Sequence, residues 1–221
     1  PAKSLDLGNS GTGVRLLMGV VAGQEITATF TGDASLSSRP MARISDPLTS
    51  IGASIASRDG QLPVTITGTP TPLACQHRSA VASAQIKSAI LFASLNARGT
   101  TEITEPNASR DHSESMLRYF GADVTHTTAD DGSHTISLHG EAVLFGRQIT
   151  VPRDPSSAAF AIVAALITPD SKVIIPGISM NPLRTGLLRT LVEMGGSIER
   201  INERIEGGEM VADLHVKSSQ L

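Results

Sequence analysis

Apolar positions recur along this chain with a helical period and a strand period in turn, and the alternation itself repeats. The clearest stretch begins at Ser83. Ile86, Ala89, Ile90 and Ala93 form a helical stripe that stops at Asn96-Ala-Arg-Gly99. Thr100-Thr-Glu-Ile-Thr104 then reads as a strand. A second helix is predicted over 111–120, with Met116, Leu117 and Phe120 inward and Gly121 as its stop. Residues 122–126 and 134–138 alternate as strands around Ala129-Asp-Asp-Gly132, a hairpin signal.

Two other passages follow the same order. The first predicts helix 11–22, strand 25–31, helix 40–51, and strands 53–57 and 62–67 around Arg58-Asp-Gly60. The last predicts helix 156–166, strand 172–175, helix 182–194, and strands near 197–201 and 210–216. With a short strand before each first helix, the unit is βαβαββ, and helical crossovers imply parallel pairing within it. Ser10, Ser83 and Ser156 mark one position of the repeat, 73 residues apart, and Arg39, Arg110 and Asn181 mark another, 71 apart. The fold class is therefore α/β, built from three copies of one supersecondary unit.

Composition narrows the picture. Aromatic residues make up only 3% of the chain, and the helices carry Ala, Ser and Gly where Leu or Phe is usual, so they are expected to pack closely on one another. A net charge of −3 announces neither nucleic acid nor a membrane surface. No stretch approaches the ~20 apolar residues of a membrane span, and Pro1-Ala-Lys-Ser-Leu-Asp6 does not read as a signal peptide. The single Cys75 excludes an internal disulfide framework and reads as a packed or idle thiol. A cytoplasmic location is expected.

Candidate chemistry lies at equivalent places in the copies. Gly8-Asn-Ser-Gly-Thr-Gly13 is a turn between strand and helix that either presents backbone N–H groups to an anion or is merely tight, and Arg15 adds charge one helical turn in. Arg39 precedes a proline-started helix, with Arg110 at the matching place in the second copy; a guanidinium grips carboxylate or phosphate bidentately, although a solvated arginine fits these positions too. Ser83 and Gln85 put a hydroxyl and an amide at a helix start. His126, His134 and His139 share one hairpin, but no Cys or carboxylate completes a metal-ligand set around them.

Five motifs carry a resemblance. They are Leu7-Gly-Asn-Ser-Gly-Thr12 with Arg15, Gly32-Asp-Ala-Ser-Leu-Ser-Ser-Arg-Pro-Met41, Ser83-Ala-Gln-Ile-Lys-Ser88, Ser109-Arg-Asp-His112 and Asp154-Pro-Ser-Ser157. In them the chain resembles, nearly end to end, the 3-phosphoshikimate 1-carboxyvinyltransferase (EPSP synthase) family, in the wording of its bacterial class II branch. The resemblance implies an inside-out α/β barrel of two lobes, each of three βαβαββ units, with the site between them. It also implies transfer of an enolpyruvyl group from phosphoenolpyruvate to shikimate 3-phosphate, a step towards aromatic amino acids, with no redox or metal cofactor. Carried over by motif, Gly11 and Arg39 would contact phosphoenolpyruvate, with Asn9 supporting the turn. Ser83, Ala84 and Gln85 would meet shikimate 3-phosphate, Gln85 touching both ligands, and Arg110 would meet the shikimate substrate. Glyphosate would occupy the phosphoenolpyruvate pocket.

Departures from the family pattern matter. Leu16 stands where many relatives have Pro, and Ala84 where other branches have Ser. The family's early Lys-Ser and Arg would lie upstream of Pro1, and its acid–base residues beyond Leu221, so no catalytic residue is expected here and the missing segments would be partners. Residues 1–150 would then be most of one lobe and 152–221 one unit of the other. The last unit, short of its partner units, would leave Phe160, Ile162, Val163 and Leu166 uncovered. Two rivals remain: UDP-N-acetylglucosamine enolpyruvyltransferase, whose reactive Cys is absent from Gly32 to Pro40, and a non-catalytic ligand-binding or structural repeat module.

Overall fold

The computed structural model describes residues 3–221. The chain divides into two compact units, one of residues 1–109 and 121–144, the other of residues 110–120 and 145–221.

The first unit holds two four-stranded sheets of the same topology. One comprises β1 (Lys3–Asp6), β2 (Thr27–Thr31), β3 (Ser54–Arg58) and β4 (Gln61–Thr67), in the order β1-β2-β4-β3. β1 runs parallel to β2, and β4 is antiparallel to both of its neighbours. The other comprises β5 (Gln76–Arg78), β6 (Thr100–Glu105), β7 (Val124–Thr128) and β8 (His134–His139), in the matching order β5-β6-β8-β7. Asp59 and Gly60 both have positive φ, 57° and 67°, as the turn of the β3–β4 hairpin requires.

Helices α1 (Gly11–Ala22) and α4 (Ala84–Ala93) pack directly on each other, as their small residues led one to expect. A methyl at Gly19 would overlap the Ala89 carbonyl oxygen, and one at Gly23 the Ala93 carbonyl oxygen. Equivalent positions of the repeat meet across this contact. Gln85 Nε2 donates to Thr12 Oγ1 at 2.8 Å, and Asn96 Nδ2 donates to the Gly23 carbonyl at 3.4 Å. Around the helices lie Met18, Phe30, Leu48, Ile66, Ile90 and Ile103, all fully buried.

The loop expected between strand and helix in the first copy contains a short helix, α2 (Ala34–Ser37), started by Asp33, whose side chain accepts the Leu36 N–H at 2.7 Å. The next helix, α3 (Ala42–Ile51), therefore begins two residues later than its proline suggested.

The second unit contains α5 (His112–Phe120), α6 (Pro155–Ile167), α7 (Gly186–Glu193) and a sheet of β9 (Lys172–Ser179), β10 (Ser197–Glu206) and β11 (Glu209–Lys217), in the order β10-β11-β9. Its order matches the other two sheets with the first strand reduced to one parallel bridge, Arg153 to Ile178. The expected third leading strand is thus a single residue pair. The helix α6 starts at Pro155 because Asp154, not Ser156, caps it, accepting the N–H groups of Ser156 and Ser157. The helix α7 starts at 186 rather than 182, since Asn181 folds the chain into a turn by accepting Leu183 N–H on its side chain and Arg184 N–H on its carbonyl. On α5 the inward residues are Ser113, Glu114 and Leu117, with Met116 and Phe120 only half-buried. In α6, Ile162 and Leu166 lie in the core with Ile178, Leu188 and Leu214. Of the four residues expected to be uncovered, Val163 is partly buried and only Phe160, 83% exposed, stands clear.

Candidate functional site

The first unit gathers most of the marked residues at the starts of α1 and α4. The turn before α1 is tight throughout. Ser10 N–H bonds to Leu7 O, Gly11 N–H to Asn9 O, and Gly13 N–H to the Ser10 hydroxyl. These amides are spent within the turn, so positive charge at the site comes from side chains.

Two guanidinium groups supply it. A Cβ built on Gly11 would stand 2.6 Å from Nη1 of Arg39 and 3.0 Å from Nη1 of Arg15. Both cations therefore close over a residue that offers no side chain. Arg15 is anchored by Nη1 to the Gly11 carbonyl at 2.8 Å and by Nη2 to the Pro40 carbonyl at 3.4 Å. Burial first, and the charge of Arg39 second, hold Arg15 below the usual arginine range. Arg39 Nη2 donates to Asn9 Oδ1 at 2.6 Å and to the Ser35 hydroxyl at 3.3 Å. Asn9 in turn donates to Asp33 Oδ2 at 2.7 Å. Asn9 thus orients the guanidinium more than the turn. The Leu36 N–H, then the Asn9 amide and, more weakly, the Arg39 charge keep Asp33 below the usual carboxylate range. Two adjacent cations with one carboxylate to share form a place where an anion is favoured.

The start of α4 lies beside this group through the Gln85–Thr12 bond. Ser83 caps the helix, accepting Ile86 N–H at 3.5 Å, and Ala84 is its first residue. Asn9, Gly11, Arg39, Ser83, Ala84 and Gln85 thus fall in one unit, while Arg110, an exposed residue, falls in the other.

Two functional candidates escaped the sequence reading. Lys87 and Glu105 form an ion pair under Ser83, with side chains 1% and 0% exposed. A lysine four residues after Ser83 within an apolar stripe, and a glutamate closing an inward strand row, were the available signals.

The remaining marked residues have other places. Cys75 is half-buried, and burial pushes its thiol up, as befits a packed sulfur. His126 and His134 stack at 5.2 Å, and His134 and His139 bond to Thr128 and Thr100. Among the described residues no cluster of three or more His, Cys, Asp or Glu could hold a metal ion, and no helix is long and apolar enough to cross a membrane. The second unit has a mostly apolar cleft of about 390 Å³, edged by His112, Arg153, Asp154 and Arg184.

The family profile of EPSP synthase (3-phosphoshikimate 1-carboxyvinyltransferase) matches residues 1–220. A 3-phosphoshikimate 1-carboxyvinyltransferase of Methylorubrum populi is 56% identical over all of this chain and 50% of its own length. That of Parvibaculum lavamentivorans is 55% identical over all of this chain and 49% of its own. The chain spans about half the length of the curated relatives it matches. Among solved structures, EPSP synthase from Acinetobacter baumannii superposes with a TM-score of 0.87 at 48% identity, covering 99% of this chain and 48% of that one. The enolpyruvyl transferase NikO from Streptomyces tendae gives 0.59 at 13% identity over 98% of this chain and 66% of that one, a likeness of fold alone.

Proposed function

Since this chain belongs to the EPSP synthase family, we propose that it forms part of an enzyme that transfers the enolpyruvyl group of phosphoenolpyruvate to shikimate 3-phosphate, releasing phosphate. The observation that carries this reading is the pair of guanidiniums, Arg15 and Arg39, over Gly11. Phosphoenolpyruvate brings a carboxylate and a phosphate, the anions that an arginine fork grips best.

In this account the methylene carbon of phosphoenolpyruvate takes a proton, the adjacent carbon becomes cationic, and the 5-hydroxyl of shikimate 3-phosphate attacks it and loses its own proton. Departure of phosphate from that carbon, with loss of a proton from the new methyl group, then restores the double bond. Gly11 gives the ligand close approach, Arg39 holds its charge, and Asn9 fixes the direction of Arg39. Ser83, Ala84 and Gln85 meet shikimate 3-phosphate, Gln85 from a position beside both ligands, and Arg110 meets the shikimate ring or its substituents. The proton-transfer groups are supplied by parts of the enzyme other than these residues. No metal or redox step enters. Residues 1–150 contribute most of one lobe and 152–221 one unit of the other. Glyphosate, an anion of similar charge pattern, competes for the Arg39 pocket, and the enzyme works in the cytoplasm.

The test is Arg39→Met in the full-length enzyme, meaning a chain of the relatives' length carrying these 221 residues. A hydrogen bond to a charged group is worth about 1.5–3 kcal/mol, so phosphoenolpyruvate affinity should fall about 10- to 100-fold. Shikimate 3-phosphate affinity should stay within about twofold, because none of Arg39's bonds reaches Ser83 or Gln85. An unchanged phosphoenolpyruvate affinity, measured by titration calorimetry, would overturn the assignment.

A further inference from the structure

Beneath Ser83 lies a polar device that the motifs do not explain. Lys87 is one turn into α4, on the side of the helix that carries Ser83. Glu105 closes β6 on the inward row it shares with Thr101 and Ile103. Lys87 Nζ and Glu105 Oε2 are 3.4 Å apart. The carboxylate also accepts the Ser83 N–H on Oε1 at 2.6 Å and the Ser109 hydroxyl on Oε2 at 2.7 Å. Lys87 donates to the Ser109 carbonyl at 3.2 Å. One ion pair therefore ties two stretches together: the turn that begins α4 and the end of the loop that follows β6.

Stability alone does not account for such a pair. Replacing a buried ion pair by an apolar pair of similar shape is often neutral or stabilising, whereas removing one partner strands a charge. What an apolar pair lacks is the ability to receive an N–H and an O–H in fixed directions. With its N–H anchored, Ser83 presents a hydroxyl that accepts only weakly from Ile86 and keeps its proton for a ligand. Lys87 matters for the same reason. A lone carboxylate behind Ser83 would repel a phosphate, and the ammonium cancels its charge.

On this basis, and resting on the function proposed above, we infer that Lys87 and Glu105 are positioning residues for shikimate 3-phosphate, acting through Ser83 and Ser109. They touch neither substrate. Their effect is on one ligand, since the bonds that join this pair to the site run to Ser83 and Ser109, at and below the start of α4.

The experiment uses the full-length enzyme, with Glu105→Gln and the double variant Lys87→Met/Glu105→Leu beside wild type. Shikimate 3-phosphate affinity is measured by calorimetry, phosphoenolpyruvate affinity at saturating shikimate 3-phosphate, and folding by thermal melting. Both variants are expected to bind shikimate 3-phosphate at least tenfold more weakly and phosphoenolpyruvate within twofold of wild type. A folded double variant with wild-type shikimate 3-phosphate affinity would overturn the inference. So would equal losses for the two ligands, the mark of general damage. Should the double variant not fold, Glu105→Gln, nearly the same shape, is judged by the same two affinities. Wild-type enzyme that bound no shikimate 3-phosphate would refute the functional reading before any substitution was made, and the positioning role with it.

Discussion

A methyl group added at Gly11 would meet the far ends of two arginine side chains, at 2.6 Å and 3.0 Å, and not backbone. The guanidiniums can give way, so Gly11→Ala should fold normally and pay only when a ligand occupies the same space. A filled site has no slack, and overpacking costs about 1–3 kcal/mol. Glyphosate is longer than phosphoenolpyruvate, and its inhibition constant should rise about tenfold more than the phosphoenolpyruvate Michaelis constant, an excess of about 1.4 kcal/mol. Steady-state kinetics of both variants would decide this, and equal changes would remove Gly11 from the discriminating role. At this scale the sequence showed what is written locally. The Gly-rich turn, Arg15, and Arg39 before Pro40 were all legible, because each motif sits within a few residues. The Lys87–Glu105 pair was not. Its members are 18 positions apart and meet only when α4 folds against the end of β6. The role of Asn9 as the partner of Arg39 was hidden for the same reason, the two being 30 positions apart.

Elements were legible where periodicity had room to develop. The helix α1 was read to its observed bounds, since a serine cap and a long apolar run mark it. The helix α2 was missed because four residues cannot show a period, and only the Asp33 cap announces it. In the third sheet, both hairpin strands run longer than their alternation suggested, and a carboxylate holds an irregular stretch of them. The register slips between Ile201 and Arg204 in one pairing and between Ala212 and Leu214 in the other. At that place Asp213 accepts from Asn202 Nδ2 at 2.9 Å, Gly177 N–H at 2.8 Å and Arg204 Nη1 at 3.1 Å. The Asn202 amide, the Gly177 N–H and the Arg204 side chain hold its carboxyl down to about 2 from the usual 3.8. A depressed carboxylate stabilises the folded form above its ordinary value, and that contribution is lost as pH falls through the folded one. Protection of the Gly177 amide, corrected for intrinsic exchange, should therefore be level down to about pH 4 and decline towards about 2. Asp213→Asn should lower protection at neutral pH and flatten its dependence. Equal protection of the wild-type amide at both ends of that window would contradict the account.

Taken whole, the chain is three copies of one unit distributed over two compact bodies, and the copies and the bodies do not share boundaries. Copy two is divided, its second helix α5 grouping with α6, α7 and the third sheet. Repeat spacing in the sequence shows which segments are equivalent but not which of them cluster, and that is why the grouping of α5 with the last copy was not legible. Two bonds inside the second body reward the grouping, Asn181 Nδ2 to Asp111 at 2.6 Å and His112 Nδ1 to Glu209 at 2.7 Å. The surface of α6 carries Phe160 and Ile167 in the open, at 83% and 64% exposure, whereas the equivalent positions of the first copy, Val14 and Val21 in α1, are buried. These features fit a chain that spans about half the length of the curated relatives it matches. In the proposed function, the residues over Gly11 and at the start of α4 serve one transfer reaction that needs two anionic substrates. Phosphate release tests it most directly, followed in the full-length enzyme and in a polypeptide of these 221 residues alone. The account predicts release by the full-length enzyme only when phosphoenolpyruvate and shikimate 3-phosphate are both present, and none above background by the shorter chain. Release with either substrate alone, or none from the full-length enzyme with both, would contradict it.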